Sequence, residues 1–261
     1  MDADSLPFEY KGQRVWVRAK IGPQDAFGTL DTGADGTAID AGLAPKVGLV
    51  ARGSEAGIVE EGELRLETSG PARFDLGAVK LEVEKVYILP LALRVANLDF
   101  ILGVDALAQT PFTLDYPTTR IELRLGSGRS VPFASMEDIR PTLRLEILGE
   151  EFTGTVDTGS GGGLSLPLRW VEKNASRLGV HLGRGSERTI LGQGRLQFHD
   201  FRIGRVAIEG VEMEGVPTEG VTSEKGSASD QSSNWASVGK VLERIGRIGV
   251  DCRRRLVVLG R

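Results

Sequence analysis

The chain contains Gly28-Thr29-Leu30-Asp31-Thr32-Gly33-Ala34-Asp35 and, 126 residues further on, Gly154-Thr155-Val156-Asp157-Thr158-Gly159-Ser160. Composition alone predicts about 0.1 copies of Asp-Thr-Gly in a chain of this length, so one copy would be weak evidence. The two copies also share the preceding Gly-Thr and an apolar residue before the aspartate. We infer that the chain is an internal duplication, and that each half presents one carboxylate on a tight glycine-containing turn.

The composition predicts an all-β chain. The 261 residues include 35 Gly and 11 Pro, which favours many turns between short strands. The net charge of -4 gives no case for a nucleic-acid partner, because such a partner calls for a strongly basic surface. Cys252 is the only cysteine, and His181 and His199 lack metal-ligand spacing, so neither a disulfide nor a metal site is expected. No apolar run reaches the roughly 18 residues of a membrane span.

The two halves open alike. Ser5-Leu6-Pro7-Phe8 begins the first and Ser130-Val131-Pro132-Phe133 the second, which places the boundary between residues 129 and 130. Alternating apolar residues precede each Asp-Thr-Gly, so the two aspartates are predicted to end equivalent strands. We therefore expect two similar units, 1–129 and 130–261, with the active groups between them.

The second half is longer than the first. Two runs ending in glycine are paired in this interpretation at a separation of 146 residues: the apolar Ile101-Leu102-Gly103, and Arg247-Ile248-Gly249, in which Arg247 is a polar departure. This separation leaves about 20 extra residues in the second half. The Ser- and Gly-rich segment 217–234 is predicted to hold them as a long or disordered loop. Segments 53–62 and 183–194 each contain several glycines, and they fit either hairpins that can move or ordinary surface turns.

Two carboxylates brought together can do chemistry that one cannot. Like charges about 3 Å apart do not both ionise easily, so one pKa rises and the pair shares a proton. The ionised member can draw a proton from a water molecule, while the protonated member polarises the carbonyl under attack. This is the chemistry of peptide hydrolysis without metal, cofactor or covalent intermediate.

These residues resemble the aspartic peptidases, and the retroviral-type (retropepsin-like) branch more closely than the pepsin branch. Leu30 to Asp35 followed by Gly36-Thr37 is similar to the active-site segment of retroviral proteases, and the apolar-apolar-Gly runs resemble the segment that supports that turn. The resemblance implies two retropepsin-like β-barrel lobes related by pseudo-twofold symmetry, with the active site between them. The chain would be a monomer carrying both halves of the site covalently and acting on peptides or unfolded proteins.

The resemblance also assigns roles to individual residues. It implies that Asp31 and Asp157 are the catalytic pair, that Thr32 and Thr158 interlock across the interface, and that Gly33 and Gly159 contact the substrate backbone. Asp35 occupies a position that the family uses to bind substrate main chain, whereas the second half has Gly161 there. Ala34 and Ser160, which follow the two turns, are further substrate-binding candidates.

Ala34 and Ser160 predict a difference between the two aspartates. A hydroxyl at position 160 could donate a hydrogen bond to the neighbouring carboxylate and favour its charged form. We therefore expect Asp157 to ionise more readily and Asp31 to hold the shared proton.

Three classes of function remain open at this point. The chain could be an active single-chain endopeptidase, a retropepsin-like module that binds peptides or partners without cutting, or a structural β protein whose aspartates cap turns. The compartment is equally open, since the N-terminus lacks the features of a signal peptide. The resemblance suggests export, with a signal peptide absent from this sequence.

Overall fold

The computed structural model describes residues 4–59, 62–93, 95–135, 139–190, 194–223 and 235–260. Over these residues the chain is predominantly β, which confirms the predicted all-β class. None of the helices in the described ranges is long and apolar enough to cross a membrane.

The first half contributes ten of its described strands to one large sheet. Its strands are β1 (Ser5–Pro7), β2 (Glu9–Lys11), β3 (Arg14–Ile21), β4 (Gln24–Leu30), β5 (Ala38–Asp40), β6 (Gly53–Val59), β7 (Gly62–Ser69), β8 (Ala72–Asp75), β9 (Lys80–Val83), β10 (Val86–Leu89), β11 (Phe100–Leu102), β12 (Phe112–Asp115) and β13 (Arg120–Glu122). Helix α1 (Val104–Leu107) follows β11, and 3-10 turns lie at Ala44–Val47 and Leu91–Leu93. Hydrogen bonds join the strands in the order β6-β7-β10-β5-β11-β4-β3-β8-β9, with β2 beside β3.

The second half contributes seven of its described strands to a sheet of the same pattern. Its strands are β14 (Arg129–Pro132), β15 (Thr142–Ile147), β16 (Glu150–Val156), β17 (Leu164–Pro167), β18 (Ser186–Ile190), β19 (Gly194–Ile208), β20 (Val211–Ser223), β21 (Trp235–Val238), β22 (Arg247–Asp251) and β23 (Leu256–Gly260). Helices α2 (Leu168–Leu178) and α3 (Leu242–Ile245) complete it. The strand order is β15-β16-β21-β17-β20-β19-β18, and β15 also pairs with β19.

A third sheet joins the two halves. Its order is β1-β13-β12-β22-β23-β14, and at its centre β12 of the first half pairs antiparallel with β22 of the second. Beside this seam the Arg247 guanidinium lies 3.3 Å from Asp115 and 2.5 Å from Glu122. The predicted boundary between residues 129 and 130 falls inside β14, the edge strand of this shared sheet.

The segment predicted as an insertion is partly strand. Residues 217–223 continue β20, where Thr218 to Val221 pair with β17 and the same strand pairs with β19 on its other side. The prediction of a loop is wrong for this part, because pairing on both sides outweighs a polar composition. The remainder, 224–234, lies outside the described residues.

Apolar side chains from both halves form a continuous core. Its fully buried members include Phe74 and Phe100 in the first half and Phe152 and Leu164 in the second. A tight hairpin turn at Glu209-Gly210, with φ of 49° and 75°, reverses the long strands β19 and β20. Two consecutive residues with positive φ match the right-handed twist of such a hairpin.

Candidate active site

Asp31 and Asp157 stand at the ends of equivalent strands, as predicted. Asp31 follows β4 and its N–H donates to the carbonyl of Leu102 on β11 at 2.9 Å. Asp157 follows β16 and its N–H donates to the carbonyl of Val238 on β21 at 3.0 Å. Strands β11 and β21 each run parallel to the strand that delivers the aspartate. Each carboxylate is therefore fixed by two adjacent strands of its own half.

The glycine of each turn orients the carboxylate before it. The Gly33 N–H donates to Oδ1 of Asp31 at 2.9 Å, and the Gly159 N–H donates to Oδ1 of Asp157 at 3.1 Å. One oxygen of each carboxylate is thus held by a backbone amide.

The two carboxyl groups lie together, each packed on the glycine of the opposite half. A Cβ atom added to Gly33 would lie 2.5 Å from Cγ of Asp157, and one added to Gly159 would lie 2.2 Å from Cγ of Asp31. No side chain fits at either distance, so both turns require glycine for this close approach. The reciprocal packing brings the two predicted aspartates into one site.

Thr32 and Thr158 interlock beneath the carboxylates. The Thr32 hydroxyl donates to the carbonyl of Val156 at 2.6 Å, and the Thr158 hydroxyl donates to the carbonyl of Leu30 at 2.8 Å. Each hydroxyl also accepts the backbone N–H of the other threonine, at 3.1 and 3.2 Å. Both side chains are buried. Four hydrogen bonds in a buried setting therefore fix the two turns against each other.

The surroundings raise the pKa of both carboxyl groups. Burial, followed by the charge of Asp157, raises the pKa of Asp31 to about 7, against the opposing effects of the Gly33 and Ala34 amides and of Arg14. Burial also raises the pKa of Asp157, but the Ser237 hydroxyl opposes this, as do the backbone amides of the turn. Both pKa values are therefore raised, and Asp157 has a side-chain hydrogen-bond partner opposing the rise that Asp31 lacks.

Ser237 supplies the hydroxyl that was expected from Ser160. The Ser237 hydroxyl donates to Oδ2 of Asp157 at 3.2 Å. The Ser160 hydroxyl instead accepts the N–H of Gly162 at 3.1 Å, which stabilises its own turn. The expected hydrogen bond from Ser160 to Asp157 is therefore wrong, and the expectation that Asp157 ionises more readily stays a prediction that now depends on Ser237.

The glycine that supports the second turn is Gly239, not Gly249. A Cβ atom on Gly103 would lie 2.6 Å from the carbonyl of Gly36, and one on Gly239 would lie 2.6 Å from the carbonyl oxygen of Gly162. The Gly239 N–H donates to the carbonyl of Gly163 at 2.9 Å. Gly249 belongs to β22 and pairs with Thr113, so the predicted role of Arg247-Ile248-Gly249 is wrong.

A second repeat distance in the sequence could have located Gly239. Gly239 follows Gly103 by 136 positions, and the same separation relates Asp115 at the end of β12 to Asp251 at the end of β22. The second half therefore carries ten additional residues between its turn and its supporting strand, rather than about 20.

Two arginines that were not selected from the sequence also cross between the halves. Arg14 Nε donates to the carbonyl of Gly159 at 2.9 Å, and Arg140 Nε lies 3.5 Å from Oδ1 of Asp35. Arg14 and Arg140 are themselves 126 positions apart, so the duplication could have indicated them. Asp35 is 70% exposed and is engaged by Arg140, a partner that motif analysis alone did not reveal.

Hairpins occupy both glycine-punctuated segments. Strands β6 and β7 pair from Gly53 to Thr68, and β18 pairs with the start of β19. Cα atoms of β6 and β19 come within 8 Å of each other, so these two strands approach across the halves. Within the described residues no group of three or more His, Cys, Asp or Glu side chains is arranged to hold a metal ion.

Comparison of the sequence with protein-family models and with curated proteins found no match. No protein-family model matches the chain, and no curated protein matches it significantly.

Proposed function

We propose that this chain is an aspartic-type endopeptidase of the retropepsin-like kind, with its two halves acting as the two lobes of a single-chain enzyme. The observation that carries the proposal is the reciprocal packing of Asp31 on Gly159 and of Asp157 on Gly33. It places two carboxylates with raised pKa values in one site. Two neighbouring carboxylates whose pKa values are both shifted are the arrangement expected of an acid–base pair.

Asp31 and Asp157 have different roles in the proposed hydrolysis. Ionised Asp157 takes a proton from a water molecule between the carboxylates, and the resulting hydroxide attacks the peptide carbonyl carbon. Protonated Asp31 donates its proton to the carbonyl oxygen, which yields a neutral tetrahedral diol. Collapse of the diol breaks the C–N bond, and the proton held by Asp157 passes to the leaving amine. Asp31 recovers its proton from the diol hydroxyl.

The Ser237 hydroxyl and the turn amides favour this distribution of charge. They lower the pKa of Asp157 against the effect of burial, so that carboxylate is the base. Burial and the negative charge of Asp157 keep Asp31 protonated until the pH approaches about 7. The interlocked threonines limit relative movement of the turns, which the pair needs in order to share one proton.

The proposal is tested by incubating the chain with an unstructured protein from pH 3 to 8 and sequencing the products. We expect internal cleavage by the natural sequence and none by Asp31→Asn, which keeps the hydrogen bond from Gly33 but cannot ionise. Peptide binding without cleavage would instead identify a binding module. Neither cleavage nor binding would favour a structural β protein.

A further inference from the structure

The two cross-half arginines differ in what they face. Arg140 reaches a carboxylate, with its Nε 3.5 Å from Oδ1 of Asp35. Arg14 occupies the matching position 126 residues earlier, but the residue that corresponds to Asp35 is Gly161. Among the residues that the structure describes, no ion pair joins Arg14 to a carboxylate.

The guanidinium of Arg14 lies beside Gly161. A Cβ atom built on Gly161 would lie 3.6 Å from Nη2 of Arg14, 3.7 Å from the carbonyl oxygen of Gly12 and 3.8 Å from Cζ of Arg14, all of them ordinary van der Waals contacts, so a side chain can be accommodated there. A carboxylate at this place would thus be within reach of the guanidinium. Arg14 is only partly exposed, and its Nε is fixed by the Gly159 carbonyl at 2.9 Å. The terminal nitrogens are held in position while remaining able to donate.

The position beside Gly161 lies near the carboxylate pair. Gly159 is the glycine on which Asp31 packs, and the charge of Arg14 is close enough to lower the pKa of Asp31. A ligand group bound at Gly161 would therefore lie beside the carboxylate pair, on the side of the second half. The corresponding position on the first half is already filled by the protein's own Asp35.

We propose that Arg14 and the space over Gly161 form a subsite for a carboxylate of the substrate, which takes the place that Asp35 fills in the other half. The inference rests on the proposed peptidase function and specifies its substrate class: peptides with a carboxylate at one position on one side of the cleaved bond. An arginine held by a fixed hydrogen bond is well suited to bind this carboxylate, because a planar guanidinium donates two parallel hydrogen bonds to a carboxylate.

The carboxylate can come from an acidic side chain or from a free C-terminus, and paired peptides separate the two sources. One series moves a single Asp, or the isosteric Asn, through the positions on both sides of the cleaved bond. A second series ends at successive positions in either a free carboxylate or an amide. We expect kcat/KM about tenfold higher for the carboxylate at one position, as expected of a charge-assisted hydrogen bond.

Gly161→Asp provides the decisive variant. It supplies Arg14 with an internal carboxylate, as Asp35 does for Arg140, and the nearest atom to the new Cβ lies at 3.6 Å. The tenfold preference should disappear in Gly161→Asp and in Arg14→Gln. It should persist in Arg18→Gln, which removes a positive charge from the same strand at an 82% exposed position. A preference that survives Gly161→Asp, or the lack of any preference in the natural sequence, would overturn the proposal.

A binding measurement tests the carboxylate subsite independently of the peptidase function. Fluorescence anisotropy with the same labelled peptides and the Asp31→Asn chain requires no turnover. A Kd about tenfold lower for the carboxylate peptide, abolished by adding Gly161→Asp, would support the subsite even if the natural sequence cleaves nothing. Equal Kd values for both members of every pair would refute the subsite even if cleavage occurs.

Discussion

The Ser237 hydroxyl donates a hydrogen bond to Oδ2 of Asp157, whereas the matching strand position beside Asp31 holds Ile101, whose side chain has no donor. The two carboxylates are therefore alike in backbone setting and unlike in side-chain partners. In the proposed mechanism this difference makes Asp157 the base and Asp31 the proton donor.

Removal of the Ser237 hydroxyl should change the pH profile of the reaction. In Ser237→Ala the pKa of Asp157 loses a lowering influence and rises, so the acidic limb of kcat/KM should move to higher pH. The profile is measured with one neutral peptide between pH 2.5 and 8. Ser160→Ala is the matched control, since its hydroxyl accepts the Gly162 N–H, and it should leave the acidic limb in place. Equal shifts in both variants would contradict the assignment.

Asp31→Asn should stabilise the fold at alkaline pH and have little effect at acidic pH. The folded-state pKa of Asp31 is raised to about 7 from 3.8, so the folded state binds more protons between these values. The free energy of unfolding consequently falls as pH rises through this window. A neutral amide avoids that loss, and we expect Tm at pH 8 to rise by a few degrees, given roughly 2–4 °C per kcal/mol.

The comparison is made by thermal unfolding of both chains at pH 4 and at pH 8. At pH 4 the carboxyl is largely protonated, so the two Tm values should nearly coincide. A variant that is less stable at pH 8 than the natural sequence would contradict the raised pKa.

Thr32→Val and Thr158→Val should each destabilise the chain by about 1–3 kcal/mol, because each leaves a buried carbonyl and a buried amide without a partner. Since the two threonines share one network, the double variant should cost less than the sum of the single ones. Denaturant unfolding measures both quantities. Thr218→Val is the control, because this buried hydroxyl donates to the carbonyl of Val216 within its own strand. Strictly additive losses of stability at Thr32 and Thr158 would argue against the interlock.

Gly33→Ala should abolish activity while the core still forms. The added Cβ would lie 2.5 Å from Cγ of Asp157, so the two halves must separate or the carboxyl must rotate. We expect at least about 100-fold loss of kcat, in line with the effect of small misplacements in a reacting site. Gly204→Ala is the control, since no heavy atom lies within 4 Å of its added Cβ and its φ is unstrained. Full activity in Gly33→Ala would exclude the reciprocal packing.

The sequence predicted most of the site because the duplication repeats local features. Asp-Thr-Gly, the strand before it and the Gly-Thr flank recur at one fixed distance, and Gly28 recurs as Gly154 because both strands pack closely, against Phe100 and Leu145 respectively. Features set by tertiary pairing were harder to find. Ser237 interrupts the apolar run before Gly239, so the run is not obvious from its composition, and the pairing of β21 with β16 identifies it as the supporting segment.

The cross-half contacts could not be deduced from local pattern. Arg14 and Arg140 each precede their aspartate by 17 positions, yet nothing in that spacing shows that both side chains cross to the other half. Residues 217–223 have the composition of a loop and form strand because they pair with β17 and β19. Both features depend on long-range geometry rather than on sequence periodicity.

The central claim is that carboxylates from the two halves act as one catalytic unit. It is tested by the rates at which Asp31→Asn, Asp157→Asn and the double variant cleave one unstructured protein, relative to the natural sequence. Because members of such a unit are not additive, we expect each single variant to lose at least about 1000-fold and the double variant to lose no more than either. A single variant that keeps appreciable activity, or a double variant whose loss is the product of two partial losses, would contradict the account.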